Sequence, residues 1–303
     1  MEGGPIKQIL KSTARRLLTA RPISRVAVGT ARALPGNWQK RLPVNVPESR
    51  LVLDSGASVS LAQPHRCHVA QEVFWGAGQL DSGQDRNALK AALAFSRDAA
   101  TFLDIGSYTG LFALAAARSN PGLQAYAYEI VGENFLLLWE NTLRNDLGDR
   151  VHPRLVAIGG EDGEIRIPYN QSDGQLASSV DIGWSTDHGV RVPMRRLDDL
   201  HLDSPGPVAV KIDVEGFEME VFDGAREFLA RHKPDMVCEV LRRAKRVPEM
   251  MKLLESLGYR WFHIREEGFA RRETIVADKH RRDWMFTCRS DEEIAALGLE
   301  LID

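Results

Sequence analysis

The chain has 303 residues, 44% hydrophobic and 27% charged, which suits a soluble globular protein of one large domain or two small ones and excludes a disordered chain. A net charge of −3 and an isoelectric point near 6.3 exclude a global basic field that would recruit nucleic acid. Cys67, Cys238 and Cys288 show no C-x-x-C spacing, so a disulfide framework or zinc site is not expected and a reducing, cytoplasmic compartment fits.

Residues 1–41 hold nine Lys or Arg and one acid, Glu2. Ile6, Ile9, Leu10, Leu17 and Leu18 share a helical face with Ala14. Three readings stand for this segment: a helix packed on the body or a loose terminus, a basic amphipathic helix resting on anionic lipid, or an organellar presequence. No run approaches the roughly 18 apolar residues that a membrane span needs. Residues 43–80 read as short extended pieces, Leu51–Leu53, Ser58–Leu61 and Val69–Trp75, between Pro, Gly and Ser punctuation. A helix is expected over Asp85–Arg97, and 43–100 together form a small β-rich cap with a lead-in helix.

From Thr101 strands and helices alternate. Strands are expected at 101–105, 125–129, 151–158, 208–213, 235–240, 259–264 and 284–288. Helices fall near 111–118, 132–145, 217–231 and 245–257. That order predicts a seven-stranded, mostly parallel α/β sheet with helices on both faces, a single domain over 101–290 and a short helical tail over 291–303. Ligands of such sheets bind beyond the carboxyl ends of the strands, where Asp104, Glu129, Ile158, Asp213 and Glu239 all stand. Ile165–Ile167 and Val190–Val192 are expected as an added antiparallel pair. Between them Asn170–Gly189, with His188, reads equally as a substrate loop or a solvated one. Residues 265–283 read as a solvated hairpin or insertion.

Two stretches carry chemistry. In Thr101–Gly110 a strand ends in Asp104-Ile-Gly106, passes Ser107, Tyr108 and Thr109, and reaches Gly110 before a helix. The glycines let backbone approach a ligand, and the helix start favours an anion. The spacing is neither G-x-G-x-x-G nor a P-loop. Glu129, 25 residues after Asp104, ends the next strand, where a carboxylate can accept ribose hydroxyls. Asp-x-Gly-x-x-x-Gly followed by that acid resembles motifs I and II of the class I S-adenosylmethionine (SAM) methyltransferases. In the second stretch, Val210–Glu218, a buried strand delivers Lys211, Asp213, Glu215 and Glu218 in quick succession, which is costly unless they are paired or used.

Phe102–Gly110, Tyr128-Glu129, Asn134, Asn141, Asn145, Arg196–Leu200, Lys211-Ile-Asp-Val-Glu-Gly-Phe-Glu218, Gly224-Ala225 and Pro234–Glu239 together resemble the FkbM family of methyltransferases over about residues 100–264. Ser107-Tyr108 stand where the family commonly has Ala-Asn, and Ile130 where it often has Pro. The resemblance implies a Rossmann-like class I fold and SAM-dependent O-methylation of a sugar, glycan or secondary-metabolite hydroxyl. It implies a cradle of Gly106, Ser107, Tyr108, Thr109 and Gly110 around the methionine end, with Asp104 near its ammonium. It further implies Glu129 on the ribose, Ile130 and Asn134 beside it, Ala157 and Ile158 along the adenine, and Asp213 facing the methyl. Asp213 is the first choice of base, with Glu215 or Glu239 acting beside it and His188 a distant alternative. The same three acids could instead hold a divalent cation, although no metal motif requires one. The alternative function is a catalytically weak SAM-fold protein that binds through its N-terminal extension. An oxidoreductase lacks its glycine fingerprint, and a nucleic-acid substrate lacks both an Asn/Asp-Pro-Pro-aromatic site and a basic surface.

Overall fold

The computed structural model describes residues 44–168, 175–177, 189–200, 206–277 and 282–303, and the chain divides into two compact units. The basic segment 1–41, His188 and most of the 170–189 loop lie outside the described residues.

In the smaller unit, β1 (Glu48–Val52) and β2 (Ser58–Ala62) form an antiparallel hairpin with Glu48 opposite Ala62. Its turn uses Gly56 at φ 81, and Leu51, Val59 and Leu61 point into the unit's interior. Val69–Trp75, expected as a strand for its branched and aromatic residues, is helical instead, as α1 (His68–Trp75). The Cys67 Sγ accepts from the Ala70 N–H, and the buried Ala70 and Val73 are three apart, a helical interval. Leu176 is buried in this unit, its N–H donating to the Arg66 carbonyl, while Gln175 Nε2 donates to the His65 carbonyl.

The larger unit opens with α2 (Gly83–Ser96), capped by Ser82. Then follow β3 (Thr101–Ile105), α3 (Leu111–Ser119), β4 (Gln124–Glu129), α4 (Gly132–Arg144), β5 (Val151–Leu155), β6 (Ala157–Ile158), β7 (Gly163–Ile167) and β8 (Val190–Arg195). The rest comprises β9 (Val208–Ile212), α5 (Glu218–Asp223), α6 (Arg226–His232), β10 (Asp235–Glu239), α7 (Val247–Ser256), β11 (Arg260–Ile264), β12 (Phe269–Arg271), β13 (Asp283–Thr287), α8 (Asp291–Ala296) and β14 (Leu301–Ile302). Among the described residues nine strands form one sheet in the order β14-β12-β11-β13-β10-β9-β3-β4-β5. The seven expected strands are contiguous in it. From β10 through β5 they are parallel, and β13 runs antiparallel to both β10 and β11. This is the Rossmann-like, mostly parallel α/β sheet that the order of elements predicts. β3, β9, β10 and β13 are buried along their whole length, as continuous apolar strands covered on both faces should be.

Two expected elements are divided. The run 151–158 splits at Val156. β5 stays in the large sheet while β6 joins β8 and β7, whose antiparallel pairing was expected. The helix expected at 217–231 breaks into α5 and α6 at Gly224, where a Cβ would stand 2.0 Å from the Gly159 carbonyl oxygen. α8 carries a full capping box between Ser290 and Glu293, worth about 1 kcal/mol. Within the described residues no helix is long and apolar enough to cross a membrane.

The chain runs outward from β3 through β4 to β5, then crosses back to β9 and runs outward the other way. The switch point therefore lies between β3 and β9, and in their register Asp104 stands opposite Lys211.

Candidate active site

At the β3 end, backbone does most of the shaping. The Gly106 and Ser107 N–H groups both donate to the Tyr128 carbonyl, at 2.9 Å each, which folds the turn back over β4. Gly106 sits at φ 77, and a Cβ there would lie 1.8 Å from the Asp213 carbonyl oxygen. Only glycine satisfies both conditions. Tyr108 is left-handed too, at φ 51. Thr109 is buried, and its carbonyl accepts from Asn141 Nδ2 at 2.9 Å, tying the turn to α4. Gly110, at φ 86, starts α3.

Two buried carboxylates flank this turn. Asp104 Oδ2 accepts from the Ala113 N–H at 3.0 Å, and Oδ1 finds no hydrogen-bond partner among the described residues. Burial pushes the Asp104 carboxyl up to about 6, against the pull of Lys211. Glu129 Oε1 accepts from the N–H groups of Ile130 and Val131, at 2.8 and 2.7 Å. Tyr108 N–H and the Asn134 side chain also bond this carboxylate. Burial nonetheless raises it to about 7. The side chain of Ser107 is buried with its hydroxyl unpartnered among the described residues. Ile130 and Ala157 pack in one apolar cluster with Val131, Ile165 and Val192, while the buried Ile158 belongs to the main core.

At the β9 end, side-chain charge takes over. Lys211 Nζ donates to Asp213 Oδ2 at 3.0 Å and lies 5.1 Å over the Phe112 ring. Burial works against its charge, but Asp213 and Asp104 outweigh that and raise it. Asp213 has its N–H on the Ile105 carbonyl. Burial disfavours its charge, yet Lys211 and a hydrogen bond to Glu239 hold its carboxyl below the ordinary value. The register explains that second bond: Ile212 lies opposite Cys238, so the next residues, Asp213 and Glu239, meet. Burial and the Asp213 carboxylate push Glu239 up to about 9, so Glu239 is the protonated member of the pair at neutral pH. Glu239 in turn stands opposite Asp283 on β13, whose carboxyl burial raises to about 7.

Arg282 holds these acids together. Its guanidinium reaches Glu239 at 3.5 Å and Asp283 at 3.3 Å, and it is bonded to Asp85 on α2. Glu215, at φ 58, is paired with Arg243, whose Cγ would lie 2.8 Å from a Cβ on Gly216. Glu218 is buried in the first turn of α5. Its Oε1 accepts from the Gly216 N–H at 2.7 Å, and Oε2 is unpartnered among the described residues. Asp213, Glu215 and Glu239 each bring one carboxylate oxygen within 4.8 Å of the others, a spacing that a divalent cation can bridge.

The expected residues thus fall into a turn-and-carboxylate group at β3 and β4 and an acidic group at β9 and β10, joined by the facing pair Asp104 and Lys211. Sequence reasoning passed over Arg282, Asp283, Asp85, Arg243 and Phe112. Arg282 and Asp283 carried one usable signal, a basic-acidic pair at the mouth of an otherwise apolar strand.

The Methyltransferase FkbM domain model matches residues 104–261, more than half of the chain. Among solved structures the chain is similar to the methyltransferase FkbM of Methylobacillus flagellatus KT, with 18% identity and a TM-score of 0.42. That match covers 63% of this chain and 44% of the other, so the chain spans less than half of that protein's length. Precorrin-6y C5,15-methyltransferase of Geobacter metallireducens GS-15 matches at 14% identity and a TM-score of 0.36, covering 67% and 86% of the two chains. The O-methyltransferase of Bacillus cereus, solved in complex with SAH, matches at 12% and 0.36, covering 67% and 78%. No curated protein matches the chain.

Proposed function

From its membership of the FkbM family of methyltransferases, we propose that this chain transfers the methyl group of SAM to a hydroxyl of a sugar, glycan or secondary-metabolite acceptor. The observation that carries the cofactor assignment is Asp104. It is wholly buried at the end of β3, with one oxygen held by the helix and the other left as an unpartnered acceptor beside a turn where a Cβ cannot fit. Such an acceptor suits the ammonium of the methionine end. The α3 start suits its carboxylate, and Glu129 suits a ribose diol. Bound there, SAM supplies an activated methyl on a sulfonium.

The chain's own task is then alignment and proton handling. Lys211 fixes Asp213 at the strand end and keeps it ionised, so Asp213 is poised to accept the proton of an acceptor hydroxyl. Glu239, protonated and bonded to Asp213, keeps the pair at a single negative charge, which Arg282 offsets from behind. In-line alignment of acceptor oxygen and methyl contributes several kcal/mol, on the order of 7 or more for an ideal pose.

Calorimetric titration with SAM and S-adenosylhomocysteine, with NADH as control, tests the reading. Both adenosyl ligands should bind and NADH should not, and Glu129→Ala should weaken binding about tenfold or more. A folded wild type that ignores SAM would sink it. Turnover measured on hydroxylated acceptors with and without EDTA then separates two roles for the acids. Indifference to EDTA assigns them to proton transfer, whereas loss restored by magnesium assigns them to a cation.

A further inference from the structure

We propose that the acceptor carries an anionic group, a carboxylate or a phosphate, held by Arg242 and Lys245 in the loop between β10 and α7. The inference rests on the methyl-transfer reading above and names the class of molecule that enters that site.

Residues 241–246 leave β10 at the carboxyl edge of the sheet, directly beyond the place where Asp213 and Glu239 meet. Four of these six residues are basic. The loop is anchored at its root and along its length. The Val240 N–H donates to the Arg282 carbonyl at 2.6 Å. The Arg243 main chain lies against the turn that carries Glu215, where a Cβ on Gly216 would stand 3.3 Å from the Arg243 carbonyl oxygen. The Ala244 N–H closes a turn on the Leu241 carbonyl at 2.8 Å, and Ala244 and Val247 pack against the main core. The basic residues are therefore held in a fixed place beside the acidic group.

The four cations divide into two kinds. Arg243 is paired with Glu215, and Arg246 is bonded to Asp223 and to Glu249 at 2.6 Å each. Arg242 and Lys245 are exposed and make no hydrogen bond or ion pair among the described residues, so neither is spent on the acids nearby. A neutral acceptor has no use for them. Arg242 stands three residues from Glu239, at most about 11 Å of chain. A hydroxyl at Asp213 and an anion at Arg242 therefore belong to the same sugar or to adjoining ones. A planar guanidinium and a point-charge ammonium together suit a carboxylate or a phosphate. With a net charge of −3 the chain offers no broad positive field for a membrane or a nucleic acid, so one charge on a small acceptor is the better match.

Calorimetric titration of the full chain saturated with S-adenosylhomocysteine tests this, using glucuronate, galacturonate and glucose 1-phosphate against uncharged glucose. At least one anionic sugar should bind about tenfold or more tighter than glucose. The advantage should shrink as salt rises from about 50 to 500 mM. Preference for a uronate assigns a carboxylate, and preference for the phosphate ester assigns a phosphoryl group. The double variant Arg242→Ala, Lys245→Ala should lose the advantage, with S-adenosylhomocysteine affinity and the circular dichroism spectrum unchanged, because both side chains are exposed. Lys252→Ala removes an exposed cation further along α7 and should keep the advantage. Equal binding of charged and uncharged sugars overturns the proposal. So does an advantage that survives the double variant, or one lost equally in Lys252→Ala. A folded chain that takes up no S-adenosylhomocysteine overturns the methyl-transfer reading, and this proposal with it.

Discussion

The ends of β3 and β9 lie side by side in the sheet, and they are built from different materials. At β3 the shape is set by what is missing: Gly106 has no Cβ, and its carboxylate neighbours Asp104 and Glu129 are held by backbone N–H groups. At β9 the shape is set by what is present, a run of ionisable side chains from Lys211 through Asp213, Glu239 and Arg282 to Asp283. A backbone cradle tolerates no added atom but does not need a particular charge nearby. A charge network tolerates isosteric change but not the loss of one member. The first suits a ligand whose shape never varies, the second a step in which a proton moves.

The comparison breaks hardest at Gly106. Gly106→Ala puts a methyl 1.8 Å from the Asp213 carbonyl oxygen and adds left-handed strain at φ 77. It should cost about 4–6 kcal/mol in urea unfolding and abolish SAM binding. A variant that still binds SAM with unchanged affinity would mean the two strand ends move apart easily. Next comes Lys211→Met, which leaves the buried Asp104 and the half-buried Asp213 without their cation. About 3–5 kcal/mol should be lost at pH 7. The loss should shrink toward pH 4 as both carboxyls take up protons, whereas the Gly106→Ala loss, being steric, should not change with pH.

How far this contrast could be read in advance follows from its materials. Glycine spacing and the acids after it are local, so Asp104, Gly106, Gly110 and Glu129 were legible in the chain, as were the seven strands, whose continuous apolar runs leave little choice. The charge network is not local. Asp213 and Glu239 meet because β9 and β10 share a register, and Arg282 reaches Glu239 from 43 residues further along, just before a strand antiparallel to β10. No spacing rule encodes that. The misread segment, Val69–Trp75, failed for a related reason. Its composition favours a strand, but a Cys67 cap and three-residue burial spacing favour a helix, and packing decided. The break at Gly224 likewise depends on the Gly159 backbone, remote in sequence.

A smaller effect sharpens the contrast within the acidic group. Asp213→Asn keeps the shape and removes the ionisable oxygen. If Asp213 takes the acceptor's proton, kcat should fall about 100-fold or more while the SAM Kd stays within about threefold. Calorimetry and turnover on one preparation separate these. A matching loss of SAM affinity would instead put Asp213 among the cradle residues.

The smallest effect concerns Glu218, which sits behind the acidic group and touches its loop through the Gly216 N–H. Burial lifts its carboxyl to about 7, above an unfolded value of 4.5. The folded state therefore holds this proton more tightly than the unfolded chain does. Its contribution to stability is complete below about pH 4.5 and is lost as pH rises through 7. Glu218→Gln keeps an oxygen for the Gly216 N–H and cannot ionise. Wild type and variant should differ little at pH 5, and the variant should be more stable by about 1–2 kcal/mol at pH 8.5. Paired denaturation curves at the two pH values measure this. Parallel pH profiles would show that Glu218 stays protonated throughout, and the pH sensitivity of the unit would then have to come from Asp104, Glu129 or Asp283, the other buried carboxyls raised toward neutrality.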